Sequence, residues 1–351
     1  MTVINFIQDE ATPHNNILIK NISSLSKINL WYAIEKSQQY DWDVDLTNEI
    51  LKANVYGNKL SLKLIFYFFK YYNTERFFMV GWSNPTTKVI FIISCILKIN
   101  LFMWFDLPDE ARNRNFFSVN IRRFFYFLLR RSNIKIFCVG EITKEYFLSR
   151  GFSSSRLTNL PVQVEIASGK KNNITRDTLN IFAGSRLTYD KGFDLLITAL
   201  AALPTSASIK LRLAGTGPEQ DKLQLQAKSL GMTDTIEFVG WLSPKQYQEE
   251  LANCDVFVHP ARVDAYGATV LALASGTPVI GSNKAGAVID CLIDGVNGFT
   301  YSPESTEELA QLIYRFYENR SLVLSFSVNA LRIANQHNGS YWADKVIEVM
   351  K

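Results

Sequence analysis

The sequence predicts an α/β protein of two domains, and three observations lead to this prediction. The chain has 351 residues, which is enough for two domains of ordinary size. From residue 179 onward, short apolar strands alternate with helices, a pattern typical of a parallel sheet covered on both faces. The polar stretch 166–178 has no hydrophobic periodicity, so it is the expected linker between this region and the first 165 residues.

The composition is that of a globular protein in a reducing compartment. Hydrophobic residues make up 47% and charged residues 20% of the chain, and the net charge is only +4. The four cysteines lie far apart without metal-ligand spacing, which predicts free thiols. No signal peptide is visible at residues 1–16, and the most apolar segment, 89–105, is interrupted by Lys98 and Asn100. We therefore expect a cytoplasmic protein in which 89–105 forms a buried helix and a buried strand.

The first domain, residues 1–165, is rich in aromatic residues and has the weaker β-α pattern. Its strands are expected near residues 2–7, 77–81, 100–105 and 135–139, with helices between them.

The second domain, residues 179–320, has a regular pattern of six strands and the helices between them. The strands are expected at 179–183, 210–214, 236–239, 256–259, 278–281 and 298–300. The helices are expected near 193–202, 219–230, 244–253, 268–274, 288–292 and 305–319, with further helices over most of 321–350. Open parallel sheets bind ligands beyond the carboxyl ends of their strands, so the loops after the first four strands are expected to converge there.

The most informative motif follows the first of these six strands. Gly184 and Ser185 begin a turn, Arg186 and Lys191 stand five residues apart, and a helix starts after Gly192. Cations beside a helix N-terminus oppose the helix macrodipole, which makes two unpartnered surface cations a poor explanation. A bound anion resolves the conflict, because exposed backbone N–H groups and cations together hold phosphate groups. The motif therefore predicts a diphosphate site.

Two further loops at the same edge carry weaker signals. Gly215 and Gly217 form a tight turn before a helix, which alone is compatible with any such connection. In the loop 260–267, Asp264 is followed by Gly267, whose missing side chain lets a ligand approach the start of a helix. Asp264 is interpreted either as a helix cap or as a carboxylate that faces sugar hydroxyls beside the diphosphate.

Taken in order, these motifs resemble the glycosyltransferase family 4 domain, the nucleotide-sugar-binding half of enzymes with the GT-B fold. The resemblance covers about residues 179–318. It rests on GSRL at 184–187 with KG at 191–192, AGTGP at 214–218, FVG at 238–240, DAYG at 264–267, ASGTPVI at 274–280 and DGVNGF at 294–299. It implies an α/β protein of the GT-B type, in which two Rossmann-like domains with parallel sheets face a central cleft. It also implies that the helices near 321–351 pack back on the first domain.

The resemblance implies a retaining, metal-independent transfer of a hexose-type sugar from a nucleoside-diphosphate sugar, of the UDP or GDP type, to a glycan or lipid-linked hydroxyl. Cell-surface polysaccharide of the capsule or O-antigen type is the expected product. Arg186 and Lys191 would hold the diphosphate and stabilise the leaving group, and Asp264 would face the donor sugar. Further donor contacts are expected from Gly184, Ser185, Gly215, Gly217, Val239, Gly240, Tyr266, Gly267, Ala268 and Thr269. Neither a cofactor nor a metal ion is expected, because the two cations supply the positive charge.

One departure from the family pattern concerns the second acid of its E-x7-E motif. Asp264 stands in place of the first glutamate, but where the family has V-L-E-A-L-A-S-G this chain reads VLALASG at 270–276. The glutamate that holds the ribose is therefore missing, and the loss of a helical residue rotates the rest of the helix by about 100°. An active transferase and a non-catalytic subunit that stabilises a partner glycosyltransferase both remain open. An epimerase of the same fold is disfavoured, since the chain is poor in the acids and histidines that it would need.

Four residues are weaker candidates for a site. Asp106, at the end of the strand 100–105, is in the position of an acceptor-side acid, and Trp82 either lines the cleft or packs in the core. His14 follows the first strand and is interpreted either as a loop cap or as a catalytic residue. His259 ends a strand of the second domain, and we expect it to satisfy the core.

Residues 118–135 combine a Phe/Tyr/Leu stretch with Arg122, Arg123, Arg130, Arg131 and Lys135. Such a helix lies either on an anionic membrane or in a core with a solvated edge, and residues 58–73 show the same mixture. Two such segments in one domain favour peripheral attachment to the inner face of the membrane, which suits a lipid-linked acceptor. Nucleic-acid binding is not expected, because no nucleic-acid-binding motif is present and the net charge is small.

Overall fold

The structure is a computed structural model, and it describes residues 3–9, 12–34, 53–57, 59–108, 116–166, 177–264, 266–336 and 339–351. The chain divides into two compact units. Unit 1 contains Met1–Gln163 and Gly339–Lys351, and unit 2 contains Val164–Asn338. Each unit has one parallel sheet whose strands are connected by helices, which confirms the predicted α/β class with two Rossmann-like domains.

Unit 1 is built on a seven-stranded parallel sheet in the order β3-β2-β1-β4-β5-β6-β7. Strands β1 to β7 are Val3–Gln8, Lys27–Tyr32, Ala53–Val55, Arg76–Val80, Phe102–Phe105, Lys135–Cys138 and Leu157–Asn159. Helices α1 to α5 are Pro13–Ser23, Leu62–Tyr71, Pro85–Ile96, Phe116–Arg131 and Gly140–Ser149. The sequence located β1, β4, β5 and β6, but β2, β3 and β7 were not predicted.

Unit 2 is built on a six-stranded parallel sheet in the order β10-β9-β8-β11-β12-β13. Strands β8 to β13 are Leu179–Gly184, Ile209–Ala214, Ile236–Gly240, Val256–His259, Val279–Ser282 and Gly298–Tyr301. Helices α6 to α12 are Phe193–Ala201, Gln220–Ser229, Pro244–Asn253, Ala268–Ala274, Gly286–Cys291, Thr306–Glu318 and Ser321–Gln336. All six predicted strands and the helices predicted between them are therefore confirmed.

The last helix, α13 (Gly339–Met350), belongs to unit 1, whereas α12 belongs to unit 2. Helix α13 packs against α1, and Arg76 Nε donates a hydrogen bond to the Met350 carbonyl at 2.7 Å. Helix α12 instead packs against α9 and buries Ala330 completely in the core of unit 2. The prediction that residues 321–351 as a whole pack on the first domain is therefore wrong for α12, whose small buried side chains fit α9.

The central strand of unit 2 is buried on both of its faces, which fixes the loop that follows it. Leu179, Ile181 and Ala183 of β8 lie in a core formed with α6, α7 and α11. Phe182 points to the opposite face and lies in a second core formed with α8, α9, α10 and α12. This alternation is what a strand in the middle of a doubly covered sheet requires.

Several smaller predictions can be compared with the structure. The apolar segment 89–105 forms the end of α3 and the strand β5, as predicted. Within the part of the chain that the structure describes, no helix is long and apolar enough to cross a membrane. The four cysteines, all of which lie among the described residues, form no disulfide. Most of the predicted linker 166–178 lies outside the described residues.

Candidate functional site

The strand order of unit 2 places its topological switch point beside two of the loops that the sequence singled out. The central strands β8 and β11 are neighbours, and chain connections run in opposite directions on their two sides. Ligands of open α/β sheets bind beyond the carboxyl ends of the strands at such a point. The loop after β8 carries Arg186 and Lys191, and the loop after β11 carries Asp264. The predicted convergence of these two loops is confirmed.

Close backbone packing holds together the loops that follow β8, β9 and β10. Gly215 N donates a hydrogen bond to the Gly240 carbonyl at 2.7 Å. A Cβ at Gly215 would lie 1.8 Å from the Ser185 carbonyl oxygen, and one at Gly217 would lie 2.3 Å from the Leu187 carbonyl oxygen. Both glycines are therefore required for the loops to pack, while the donor contacts predicted for them stay predictions.

Gly192 brings the loop after β8 against the loop after β11. Its φ of 67° lies in the left-handed region, and a Cβ on it would lie 2.0 Å from the Pro260 carbonyl oxygen. Arg262 N donates to the Asp190 carbonyl at 2.8 Å, which ties the same two loops together. Only glycine fits such an approach, so the position of Lys191 beside the β11 loop depends on it.

A chain of polar side chains runs through this junction. Lys191 Nζ lies 2.9 Å from Asp264 Oδ1 and 3.2 Å from Asp190 Oδ2. His259 Nε2 lies 2.9 Å from the other oxygen of Asp264, and His259 Nδ1 lies 2.7 Å from Thr269 Oγ1. The side chains of Lys191, His259 and Asp264 are only 9%, 4% and 14% exposed. Lys191 and Asp264, which the resemblance assigns to the same donor site, are thus in direct contact.

The electrostatics of the junction keep Asp264 ionised. Burial alone would raise the pKa of Asp264, but the hydrogen bond and charge of His259 and the ammonium of Lys191 hold that pKa well below its usual value. An ionised carboxylate only accepts hydrogen bonds, so His259 Nε2 carries the proton that it shares with Asp264. The histidine therefore satisfies the core, as predicted, and it also orients the predicted site carboxylate.

The two cations predicted to bind a diphosphate are in different states. The Lys191 ammonium is buried and is neutralised by two carboxylates, those of Asp190 and Asp264. The Arg186 side chain is exposed to solvent, and among the described residues no carboxylate lies within ion-pairing distance of it. An incoming anion therefore meets Arg186 without displacing another partner.

Sequence reasoning missed an ion pair that supports the turn around Lys191. Arg262 forms a bidentate pair with Asp194 of α6, at 2.7 and 2.6 Å. The Arg262 guanidinium also lies 4.0 Å from the centre of the Tyr189 ring and donates to the Tyr189 carbonyl at 2.8 Å. Arg262 lies inside the predicted loop 260–267, but its partner is 68 residues away, so spacing alone could not reveal the pair.

Four residues predicted to contact the donor lie at the start of α9, and two of them, Tyr266 and Thr269, have clear structural roles. The Tyr266 hydroxyl lies 3.3 Å from Cys291 Sγ, and its ring packs against the core. Thr269 is fully buried, and its hydroxyl is paired with His259. Gly267 has a φ of 111° with open space around its missing side chain, and Ala268 begins α9 directly after it. Of these positions, Gly267 leaves room for a ligand, whereas Ala268 packs against the core.

The remaining predicted donor residues line the ends of β8 and β10. Gly184 is crowded, because a Cβ would lie 2.9 Å from Tyr247 Cε2, and its carbonyl accepts a hydrogen bond from the Tyr247 hydroxyl at 2.8 Å. Ser185 is half-buried in the turn that comes next. Val239 packs against the core, and Gly240 ends β10 with a φ of 71°.

Helix α9 carries no carboxylate, as its sequence ATVLALA requires. Its seven residues run from Ala268 to Ala274, with Leu271 half-buried and Ala272 completely buried. The missing second acid of the family motif is therefore not replaced by another acid on this helix.

The switch point of unit 1 lies between β1 and β4 and has a different chemistry. Asn84, which follows β4, donates from Nδ2 to Asp9 Oδ1 at 2.5 Å and to the Tyr56 hydroxyl at 2.8 Å. Its Oδ1 caps α3 by accepting from Thr87 N at 3.0 Å. Sequence reasoning missed these three residues, although Asn before Pro85 is a recognisable helix-start signal.

The candidate site residues of unit 1 have different structural environments. Trp82 packs as a core aromatic, with its ring centre 4.8 Å from those of Phe91 and Phe105. Asp106 is exposed at the end of β5, where it accepts a hydrogen bond from Leu107 N at 2.8 Å. His14 lies in the first turn of α1, and its side chain is outside the described residues. An acceptor role for Asp106 and a catalytic role for His14 stay predictions.

The described residues contain no group of three or more His, Cys, Asp or Glu side chains arranged to hold a metal ion. Metal independence of the reaction stays a prediction.

Comparison with known proteins finds a family match for unit 2 and fold relatives for the chain. The sequence model of the family described as glycosyl transferases group 1 matches residues 165–332. The lipopolysaccharide core biosynthesis glycosyltransferase LpsE of Rhizobium meliloti is 32% identical over 143 residues, which cover 40% of each chain. The alpha-monoglucosyldiacylglycerol synthase of Streptococcus pneumoniae is 25% identical over 226 residues, covering 52% of this chain and 51% of that protein. The chain spans about half or less of the curated relatives that it matches.

Solved structures resemble the whole chain. Anabaena Alr3699/HepE in complex with UDP has a TM-score of 0.77 at 20% identity, covering 99% of both chains. The lipopolysaccharide outer core galactosyltransferase WaaB has a TM-score of 0.73 at 16% identity, also covering 99% of both chains. At such identities the similarity shows a shared fold, and this is the predicted GT-B fold.

Proposed function

We propose that the protein transfers a sugar from a nucleoside-diphosphate sugar to a hydroxyl of a glycan or lipid-linked oligosaccharide. The proposal starts from the match of unit 2 to the family described as glycosyl transferases group 1. The observation that carries the proposal is the junction of two loops at the switch point of unit 2. That junction holds Lys191 against Asp264 and leaves the Arg186 guanidinium exposed.

The donor is expected to bind through its diphosphate. Arg186 meets the anion first, because it is exposed, and Lys191 then exchanges one of its carboxylate partners for a phosphate oxygen. Structural neighbours of this fold contain UDP and UDP-glucose, which supports a donor of the UDP or GDP type. Gly267 offers open space for the donor just before the start of α9.

The transfer is expected to retain the configuration of the sugar and to need no enzyme nucleophile. The bond between the anomeric carbon and the diphosphate oxygen breaks, the acceptor hydroxyl forms the new bond on the same face, and its proton passes to the departing phosphate. Arg186 and Lys191 stabilise the charge that develops on the leaving diphosphate. Asp264 accepts hydrogen bonds from sugar hydroxyls, and its lowered pKa makes it unsuitable as a proton donor.

The acceptor is expected to be a growing cell-surface polysaccharide, of the capsule or O-antigen type. Two relatives support this class, since one is named for lipopolysaccharide core biosynthesis and the other for a glycolipid product. Asp106 remains the candidate for the acceptor side, and His14 remains a candidate catalytic residue.

A non-catalytic subunit that stabilises a partner glycosyltransferase is the second candidate function. It is favoured by one observation, the absence of any carboxylate on α9, where the family has the acid that holds the ribose. In this case unit 2 would bind a nucleotide without turning it over, or would bind none.

Thermal-shift measurements with UDP, GDP, UDP-glucose and GDP-mannose test the donor site. We expect one nucleotide and its sugar to raise the melting temperature, and we expect Arg186→Ala combined with Lys191→Ala to abolish the shift. Lys228→Ala, which removes an exposed lysine of α7, is the control and should leave the shift unchanged. The donor site is rejected if no nucleotide stabilises the protein or if the shift survives the double substitution.

Turnover of the stabilising donor then separates the two functions. Release of free nucleotide in the presence of a lipid-linked or glycan acceptor supports the transferase, and binding without release supports the non-catalytic subunit. The anomeric configuration of the product, read by NMR, tests retention. Activity that persists in excess EDTA supports metal independence.

A further inference from the structure

The outer surface of the helix layer α2–α3–α4 in unit 1 exposes large apolar side chains. Helix α3 contacts both α2 and α4, so the three helices form one continuous layer. The exposed apolar residues of this layer, which we call the apolar face, are Leu62, Phe66, Phe69, Ile96, Leu97, Ile121, Phe124 and Phe127. Their exposed fractions run from 40% to 69%, which is unusual for so many large apolar side chains on one surface.

The core of unit 1 does not account for the apolar face. On α2 the side chains that pack into the core are the buried residues Leu64, Ile65 and Phe68. The opposite side of the same helix carries Leu62, Phe66 and Phe69, spaced at i, i+4 and i+7, which places them in a single stripe. A helix that is apolar on both sides requires a second apolar environment besides its own core.

Positive charge is interleaved with the apolar face. Helix α2 carries two lysines, α3 carries one lysine and α4 carries four arginines, and none of the three helices contains Asp or Glu. Lys63 and Lys70 are exposed beside Phe66, and the Arg131 guanidinium stacks on the Phe127 ring at 4.3 Å. The carboxylate that follows α2, Glu75, is engaged by the Tyr67 hydroxyl at 2.9 Å.

We propose that the apolar face docks on the surface of a bilayer that contains anionic phospholipids. Apolar side chains would enter the boundary between headgroups and acyl chains, while the long Lys and Arg side chains reach back to lipid phosphates. A nucleic acid would match the cations and aromatic rings, but it would leave Leu62, Ile96 and Ile121 without an apolar partner.

The proposal stands on unit 1 alone and does not depend on the glycosyl transfer proposed above. Each cation close to an anionic surface contributes about a fivefold increase in the partition coefficient, and salt screens that contribution. Apolar insertion adds a contribution that salt does not remove. Membrane binding through this face should therefore fall with ionic strength and still require the aromatic side chains.

Flotation of the full chain with lipid vesicles tests the proposal. The vesicles are pure phosphatidylcholine or phosphatidylcholine with about 30% phosphatidylglycerol, at low and at high salt. The test variant is Phe66→Ser with Lys63→Gln and Lys70→Gln. The matched control on α7 is Leu225→Ser with Lys222→Gln and Lys228→Gln. Phe66 is 69% exposed and Leu225 is 67% exposed, and the charge change is the same, so the two variants differ in location.

We expect the wild-type chain and the α7 variant to float with phosphatidylglycerol vesicles and to bind pure phosphatidylcholine at least tenfold more weakly. The α2 variant should lose about 25-fold or more in partition coefficient through its two lysines, with a further loss through Phe66. Failure of the wild-type chain to float, or equal losses in both variants, would overturn the proposal. Retention on single-stranded RNA without flotation would overturn it as well, and would assign the face to nucleic acid.

Discussion

The two units of this protein have the same kind of parallel sheet and the same kind of switch point, yet they use that point differently. In unit 2 the loops beyond β8 and β11 are pressed together at Gly192 and enclose a lysine, two carboxylates and a histidine. In unit 1 the corresponding place lies beyond β1 and β4. There the side-chain amide of Asn84 donates a hydrogen bond to Asp9 and caps α3. The fold supplies the position, and the charges in the loops decide whether it becomes an anion site.

The largest difference between the units should appear when the buried cation of unit 2 is removed. Lys191→Met leaves Asp264 and Asp190 without their shared ammonium, and breaking such a pair costs about 3 kcal/mol of the free energy of unfolding. Differential scanning calorimetry with and without the stabilising nucleotide measures both the loss of stability and the loss of the nucleotide response. Lys228→Met on the surface of α7 should cost less than about 0.5 kcal/mol. Similar costs for both variants would show that the ion pair contributes little to the junction.

The next effect tests the close approach of the two loops of unit 2. Gly192 and Gly231 have nearly equal φ angles of 67° and 70°, but only Gly192 faces a neighbour, at 2.0 Å from a Cβ to the Pro260 carbonyl oxygen. Gly231→Ala should cost about 1–2 kcal/mol from backbone strain alone. Gly192→Ala adds a backbone clash and should cost about 1 kcal/mol more than Gly231→Ala. Equal losses of melting temperature would contradict the role given to the loop contact.

A smaller effect is expected at the switch point of unit 1. Asn84→Ala removes the α3 cap and the hydrogen bonds to Asp9 and Tyr56, so we expect a loss of about 1–2 kcal/mol. The nucleotide-induced rise in melting temperature should persist in this variant, since unit 2 is untouched. Ser243→Ala, which removes the cap of α8 in unit 2, is the matched cap variant and should cost about 1 kcal/mol. A nucleotide response lost in Asn84→Ala would place Asn84 in the donor site.

The smallest effect is the loss of stability at acidic pH that depends on Asp264. The pKa of Asp264 is lowered in the folded protein, so its contribution to stability is complete above the unfolded pKa of about 4 and is lost as the pH falls further. The melting temperature of the wild type should therefore decline more steeply between pH 5 and pH 3 than that of Asp264→Asn. Across that range the wild type should lose roughly 1 kcal/mol more of its free energy of unfolding than Asp264→Asn. Parallel curves would show that Asp264 has an ordinary pKa.

The sequence predicted unit 2 better than unit 1 for a physical reason. Strands such as β8, with the sequence LNIFAG, are buried on both faces and are mostly apolar, and they end in glycine turns. The missed strands β3 and β7 have only three residues each, and β2 begins with an exposed lysine. Such strands form because a neighbouring strand offers hydrogen bonds, and pairing of that kind leaves little trace in local sequence.

The candidate site shows the same limit. Arg186, Lys191 and Asp264 were recognisable because charge stood next to glycine turns after strong strands. The link from His259 to Asp264 and the pair between Arg262 and Asp194 depend on loops that meet only in the folded chain. The separation of α12 from α13 was also beyond the sequence, since both are amphipathic helices of ordinary length and only their packing partners distinguish them.

Helix α13 has a consequence for the way the protein is made. Unit 1 needs α13 beside α1, where a Cβ at Gly339 would fall 2.3 Å from Asn21 Nδ2, yet the ribosome produces all of unit 2 before it reaches this helix. At about 5–20 residues per second, the first 163 residues wait on the order of ten seconds or more for their last helix. Unit 2 is continuous in sequence and can fold during that wait. Assembly of the nascent chain should therefore finish at unit 1, although most of unit 1 is synthesised before unit 2.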